Sequence, residues 1–243
     1  MKPTKKACEM SVKELGRYID QSVLKPEFTI DEVRKYIQEG IDYGCKTVCI
    51  NPAYVDLAKE MCAGTDTEVC PVCDFPFGSS STASRVAQAE LIIKDGGITE
   101  LDIVCNYGHI RSGMYDEVYN DIKAVSDVCH KYGVKLKAIM ETDALTLEQA
   151  KKTTEVLVNA GADFVKTSTG FLTGHELHGA TVEIIGEIIK IVDGRCSVKG
   201  SGSIRDREHF LALIDLGIDR MGIGYKSTAT VLGLSNSEGD KNY

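Results

Sequence analysis

Hydrophobic and polar positions along the chain alternate between two rhythms. Short apolar runs predict strands over Tyr18 to Leu24, Lys46 to Asn51, Glu68 to Phe75, Glu100 to Asn106, Val134 to Glu141, Asp163 to Thr169, Cys196 to Ser201 and Asp219 to Gly224. Between them, apolar residues recur at helical spacing. Thr29 to Tyr43 carries Ile30, Val33, Ile37 and Ile41 in this way, and Ser84 to Asp95 carries Val86, Ala89, Ile92 and Ile93. Further helices are predicted over Tyr115 to Tyr132, Thr146 to Ala160, Thr181 to Val192 and Arg207 to Leu216. Thr29 stands three residues before Glu32, the spacing of a capping box, and Thr146 with Glu148 and Gln149 opens another helix. Gly44, Gly96, Gly133, Gly161 and Gly217 follow helical patterns, where a glycine takes the left-handed conformation that ends a helix.

Strand–helix alternation implies parallel strands joined by right-handed crossovers. No linker rich in Pro, Gly or Ser breaks the series. The fold expected is therefore one α/β domain over residues 1–243, a TIM (β/α)8 barrel, with a loose polar tail from Ser235 to Tyr243. An open doubly wound sheet fits less well, because no G-x-G-x-x-G follows the first strand.

Composition narrows the function. The net charge of −8 argues against a nucleic-acid surface, which needs clustered Lys and Arg, yet leaves room for a local basic pocket. No apolar run reaches the ~18 residues of a membrane span. Met1 to Met10 carries lysines with no apolar segment behind them, so no signal peptide is expected. Nine cysteines, several within apolar runs (Cys45, Cys49, Cys105, Cys196), fit buried reduced thiols in a cytoplasmic protein. Cys70-Pro71-Val72-Cys73 matches a C-x-x-C redox pattern, but on a strand residues three apart face opposite sides, so the sulfurs are not expected to meet.

The candidate chemistry lies where charges interrupt apolar strands. Asp102 sits in Leu101-Asp-Ile-Val104, Lys137 in Leu136-Lys-Ala-Ile139, Lys166 after Phe164-Val165, and Lys199 after Ser197-Val198. Buried charge is costly unless paired, and adjacent barrel strands would bring these four together. One reading is an ion-pair network that only holds the barrel shut. The other is catalytic: a lysine beside a second cation in a partly dry site loses its proton more easily and becomes a nucleophilic amine.

At these residues the sequence resembles the deoxyribose-phosphate aldolase family. Phe164-Val-Lys-Thr-Ser-Thr-Gly-Phe171 is similar to the family's Schiff-base signature, Glu100-Leu-Asp-Ile-Val104 to its proton-relay strand, and Val198-Lys-Gly-Ser-Gly202 to the strand of its second active-site lysine. Leu136 to Thr142, Ile19-Asp20, Leu24-Lys25-Pro26, Val48 to Pro52 and Phe75 to Gly78 match further family segments in order. The resemblance implies a metal- and cofactor-free class I aldolase that cleaves 2-deoxyribose 5-phosphate reversibly. Lys166 would be the nucleophile, with Asp102 and Lys199 as the relay. Asp20, Ser22, Cys49, Lys137 and Thr167 would bind substrate, and Gly170, Gly202, Ser203, Gly222 and Gly224 would bind phosphate. It further implies a homo-oligomer, a dimer being favoured, and a C-terminal Tyr243 that assists protonation of the enamine.

Three departures stand out. Gln21-Ser22 replaces the family's His-Thr, Gly202-Ser203 replaces paired glycines, and Gly224-Tyr225 replaces a serine pair. The last two fall where phosphate is gripped, and a bulky Tyr225 is expected to loosen that grip while Lys226 adds charge. The His175 and His178 loop lacks the i, i+4 spacing of a zinc helix and is expected to bind no metal. Two other readings stay open: a Schiff-base aldolase for a different aldehyde acceptor, phosphorylated or not, and a non-catalytic barrel that senses a small molecule.

Overall fold

The computed structural model describes residues 3–234. Its eight strands are β1 (Ile19–Val23), β2 (Thr47–Ile50), β3 (Glu68–Cys73), β4 (Glu100–Val104), β5 (Lys135–Ile139), β6 (Phe164–Lys166), β7 (Ser197–Ser201) and β8 (Arg220–Gly224). Every neighbouring pair is parallel, and β8 returns to β1, so the sheet closes as a barrel in chain order. The α-helices are α1 (Val12–Gly16), α2 (Ile30–Asp42), α3 (Val55–Cys62), α4 (Thr82–Ile93), α5 (Tyr107–Arg111), α6 (Tyr115–Lys131), α7 (Leu147–Asn159), α8 (Val182–Val192), α9 (Arg207–Leu216) and α10 (Thr228–Val231). This is the TIM barrel expected from the alternating pattern. The tail and Tyr243 lie outside the described residues.

Local chemistry sets the helix ends. Thr29 and Thr146 form full capping boxes with Glu32 and Gln149, each satisfying two backbone donors that the first turn leaves unpaired. α4 begins two residues earlier than its apolar spacing predicts, because the Ser81 hydroxyl accepts from Ser84 N–H and caps it there. α3 has only Ala58 and Cys62 buried, too sparse a pattern to stand out in sequence.

The main hydrophobic core is the layer between strands and helices. Outward-facing Val48, Leu101, Ile103, Leu136, Val165, Val198 and Ile223 pack there against helical residues such as Ile37, Ile122, Leu157 and Leu213. The barrel interior holds a smaller apolar group, Leu24, Cys49, Cys70 and Val72, with Phe75 and Phe171 packed against it. Cys73 points outward to Gln88 Oε1 at 3.2 Å, whereas Cys70 points inward to Asp102. The C-x-x-C sulfurs therefore face opposite sides of β3.

The loops at the C-terminal end of the barrel dock on one another. Gly179, before α8, sits at φ +64, and a Cβ there would lie 2.3 Å from the Gly202 carbonyl oxygen. Only glycine allows this approach in this conformation. Gly179→Ala is expected to destabilise the fold by at least about 1–2 kcal/mol from backbone strain alone, read as a lowered denaturation midpoint.

Candidate active site

The inside of the barrel is charged. Glu100 and Asp102 of β4 are two residues apart and so share a face. Asp102 lies level with Lys137 of β5, and Lys166 of β6 lies level with Lys199 of β7. Asp20 of β1 and Arg220 of β8 close the ring, joined by the paired cysteines of β2 and β3, Cys49 and Cys70.

Asp102 is the junction. Its Oδ2 accepts from Lys166 Nζ at 2.7 Å and from Lys199 Nζ at 2.8 Å. Its Oδ1 lies 3.1 Å from Lys137 Nζ and accepts from the Cys70 thiol at 3.1 Å. Lys199 also reaches Asp20 Oδ2 at 2.6 Å, and Lys137 reaches Glu100 Oε2 at 2.5 Å. Arg220 Nη1 donates to Asp20 Oδ1 at 2.6 Å and Glu100 Oε2 at 3.0 Å. Strand-borne charge in the sequence suggests three lysines around one acid. The assembled cluster has four cations (Lys137, Lys166, Lys199, Arg220) against three carboxylates (Asp20, Glu100, Asp102), so the positive excess is one.

Burial opposes ionisation throughout, and the ion pairs outweigh it. Burial pushes the Asp102 carboxyl up, but Lys137, Lys166 and Lys199 pull it well below the usual carboxylate range. Burial pushes the Lys199 and Lys137 ammoniums down, but Asp102 and Asp20 hold both above the usual lysine range. Lys166 differs in its surroundings. Among the described residues Asp102 is the one carboxylate within ion-pair distance of it, and its side chain is 3% exposed against 0% for Lys137 and 1% for Lys199.

Gly170, Gly202, Ser203, Gly222 and Gly224 line one cavity of about 350 Å³, together with Glu141, Arg205, Tyr225 and Lys226. A Cβ on Gly222 would lie 3.5 Å from Lys199 Cε, so the cavity adjoins the charged ring. Ser203 sits at φ +57, the conformation a glycine would take, so serine there keeps a glycine-like backbone path. The Tyr225 ring packs on Phe28 and Tyr36. Glu141, at φ +60, accepts from Thr169 N–H at 3.2 Å, and burial raises its carboxyl above the usual range despite that bond.

The remaining expected residues are spread through the interior. Asp20, Cys49, Lys137 and Thr167 are fully enclosed, and Ser22 is 7% exposed. The Thr167 hydroxyl donates to the Ser201 carbonyl and accepts from Ser201 N–H, both at 2.9 Å, so it clasps β6 to β7. His178 is exposed and its backbone N–H donates to Asp143 at 3.1 Å. Among the described residues, two groups of Cys and carboxylate donors have metal-like spacing: Cys49, Cys70 and Asp102, and Asp20, Cys70 and Glu100. The Lys137 ammonium already sits among these donors, 3.0 Å from Cys70 Sγ and 3.2 Å from Asp20 Oδ2.

The pattern of charges interrupting apolar strands does not single out Glu100, Arg220 or Arg205. Glu100 had a signal, its i, i+2 relation to Asp102, and Arg205 had another, its place in the loop after the seventh strand, where such barrels often bind phosphate.

A relay carboxylate could become an amide at little cost to the fold; a junction for three ammoniums cannot. Asp102→Asn is expected to destabilise the protein by about 3–5 kcal/mol, since it leaves buried cations uncompensated. The depressed pKa of Asp102 gives stability that is fully present above its unfolded value near 4 and is lost only as pH falls through the lower folded value. Acid unfolding of the wild type followed by circular dichroism should therefore come below the ordinary carboxylate range, and Asp102→Asn should lose that acid tolerance.

Comparison with known proteins agrees with this geometry. The family model for DeoC/LacD family aldolases matches residues 16–225. The chain is 41% identical over 230 residues to a deoxyribose-phosphate aldolase of Staphylococcus carnosus, covering 95% of this chain and 100% of that one. It is 43% identical over 215 residues to the same-named protein of Thermococcus kodakarensis, covering 88% and 94%. Among solved structures, the aldolase QR15 superposes with a TM-score of 0.81 at 35% identity over 90% of this chain and 95% of that one. A tetrameric deoxyribose phosphate aldolase from Aeropyrum pernix gives 0.81 at 26% identity over 92% and 91%. With the barrel, the charged ring and these matches in agreement, the chain belongs to the DeoC/LacD family of aldolases.

Proposed function

We propose that the protein cleaves 2-deoxyribose 5-phosphate to acetaldehyde and glyceraldehyde 3-phosphate, reversibly, through a Schiff base on Lys166. The observation that carries this reading is the charge balance of the ring. Lys137, Lys199 and Arg220 suffice to compensate Asp20, Glu100 and Asp102. Lys166 is the surplus cation and the least enclosed of the three lysines, so it is the amine that the charge balance of the ring does not need. Lys199 reaches the same Asp102 oxygen at 2.8 Å and is held protonated by Asp102 and Asp20, so a proton donor stands beside Lys166.

The Lys166 amine adds to the C1 aldehyde of the open sugar, and loss of water gives an iminium. The C3 hydroxyl gives up its proton, the C2–C3 bond breaks, and its electron pair becomes the enamine while the three-carbon aldehyde leaves. C2 then takes a proton, and water hydrolyses the iminium to acetaldehyde and free Lys166. Asp102 and Lys199, with a bound water, move these protons. The iminium is the electron sink, so the route needs no metal or organic cofactor.

The phosphate occupies the cavity beside the ring, facing the backbone of Gly170, Gly202, Ser203, Gly222 and Gly224, as backbone N–H groups commonly receive anions at this end of the barrel. Arg205 lines the same cavity and forms no ion pair among the described residues, so its guanidinium is the charge we assign to phosphate.

Two measurements test the reading. Borohydride reduction in the presence of acetaldehyde, with EDTA added, is expected to place the adduct on the peptide bearing Lys166. An adduct on Lys199 or Lys137, or trapping that EDTA abolishes, would overturn the assignment. Arg205→Ala is expected to raise KM for the phosphorylated sugar by roughly tenfold to a hundredfold, the usual worth of a hydrogen bond to a charged group, with kcat/KM for plain 2-deoxyribose little changed. Equal losses on both sugars would remove Arg205 from the phosphate site.

A further inference from the structure

The β8 side of the cavity is built differently from the serine-bearing pattern that the sequence departs from, and the structure holds a device in its place. Gly224 at the end of β8 and Tyr225, Lys226 and Ser227 of the loop after it all line the cavity. Ser227 N–H donates to the Gly224 carbonyl at 2.8 Å and closes the loop as a turn. The Tyr225 ring centroid lies 4.1 Å from that of Tyr36 on α2, and 5.1 Å from that of Phe28 in an edge-on contact at 82°. Phe28 and Tyr36 also touch each other, at 5.1 Å. The three rings thus form a closed triangle across the β1–β8 seam. Phe28 is 8% exposed, so one corner is anchored in the interior. The Lys226 ammonium sits 5.9 Å over the Tyr225 ring, which keeps that charge at the cavity rim.

A cavity that holds an anion by backbone groups depends on a fixed backbone. A loop that must be ordered on binding loses affinity to the entropy of ordering. We propose that Phe28 and Tyr36 are positioning residues which, through the ring of Tyr225, hold the β8–α10 loop in its anion-binding shape. Aromatic packing from α2 and the β1–α2 loop fixes the loop at the position where the family pattern carries a serine pair. Neither Phe28 nor Tyr36 lines the cavity, so neither touches the ligand. Gln21 supports the same corner, since its side-chain amide N–H donates to the Tyr36 carbonyl at 2.5 Å. Two departures from the family pattern, Gln21 and Tyr225, are then parts of one brace.

The inference rests on the cavity being the phosphate site, and its test is independent of turnover. Binding of inorganic phosphate to the full chain is measured by calorimetry for wild type, Tyr36→Ala, Tyr36→Phe and Phe28→Leu, with circular dichroism checking that each is folded. Tyr36→Ala should weaken phosphate binding about three- to tenfold, the worth of an aromatic pair. Tyr36→Phe keeps the ring and should bind as wild type does, with Phe28→Leu in between. With substrate, Tyr36→Ala should raise KM for 2-deoxyribose 5-phosphate by a similar factor and leave kcat and the reaction of plain 2-deoxyribose unchanged. If Tyr36→Ala and Phe28→Leu bind phosphate as wild type does, or if wild type binds none, the brace is overturned. If phosphate binds as stated but acetaldehyde does not trap Lys166, the aldolase reading fails and the brace stands.

Discussion

The structure turns on one carboxylate. Asp102 is fully buried and bonded to three ammonium groups that arrive from three successive strands. None of these lysines could sit inside a barrel alone, because desolvating an unpaired ammonium would cost several kcal/mol. The usual filling of such a barrel is branched apolar side chains in layers. Here the apolar packing has moved outside, into the layer between strands and helices, and that layer holds the strands in the register that brings the charges together. The helices therefore maintain the site without contributing to it directly.

This division explains what could be read in the sequence. All eight strands are legible, because their outward residues are apolar and their boundaries are marked by glycines and helix caps. Asp102, Lys137, Lys166 and Lys199 are legible because each is a single charge with apolar neighbours on the strand. Glu100 and Arg220 belong to the same ring, yet each opens its strand, where a charge ordinarily faces water. Their burial comes from closure of the barrel, a relation between residues 120 apart in the chain; the i, i+2 step from Glu100 to Asp102 is the one local sign of it, and Arg220 has none. Arg205 is followed by Asp206 and Arg207 and resembles any polar loop. The short helices α1, α5 and α10 span five residues or fewer, under two turns, so no periodicity could develop.

The ring and the cavity beside it also divide the electrostatic work. Inside the ring, cations exceed carboxylates by one, and the surplus lies at Lys166. In the cavity, Arg205 and Lys226 face Glu141 and Asp143, but the two acids are engaged by backbone N–H groups: Thr169 on Glu141, and His178 and Gly179 on Asp143. Burial also favours the neutral form of Glu141. A local positive field can therefore exist in a chain whose overall charge is −8, so the net charge leaves room for a small-anion site.

Backbone strain follows the same geography. Four non-glycine residues among those described have positive φ: Asp74, Glu141, Asp193 and Ser203. Asp193 ends α8, where a left-handed residue is an ordinary helix terminus. The other three follow the ends of β3, β5 and β7 by one or two residues, at the end of the barrel where the cavity opens. Each such conformation costs about 1–3 kcal/mol and persists only where its surroundings enforce it. At Asp74 and Glu141 the enforcing contacts are visible. The Asp74 carboxylate accepts from Ser80 N–H at 3.0 Å and Ser80 hydroxyl at 2.8 Å, and Glu141 accepts from Thr169. Asp74 thus ties its bend to the loop beyond it, and Glu141 ties its bend to the neighbouring loop after β6. Ser203 has no such tie in its own side chain, but its neighbour Gly202 is held from outside, by the Ala180 N–H that donates to its carbonyl at 3.1 Å and by the close packing of Gly179. The mouth of the barrel is thus a set of bent strand ends fixed by contacts between successive loops. A rigid rim of this kind can present backbone donors to a ligand without reorganising when the ligand arrives.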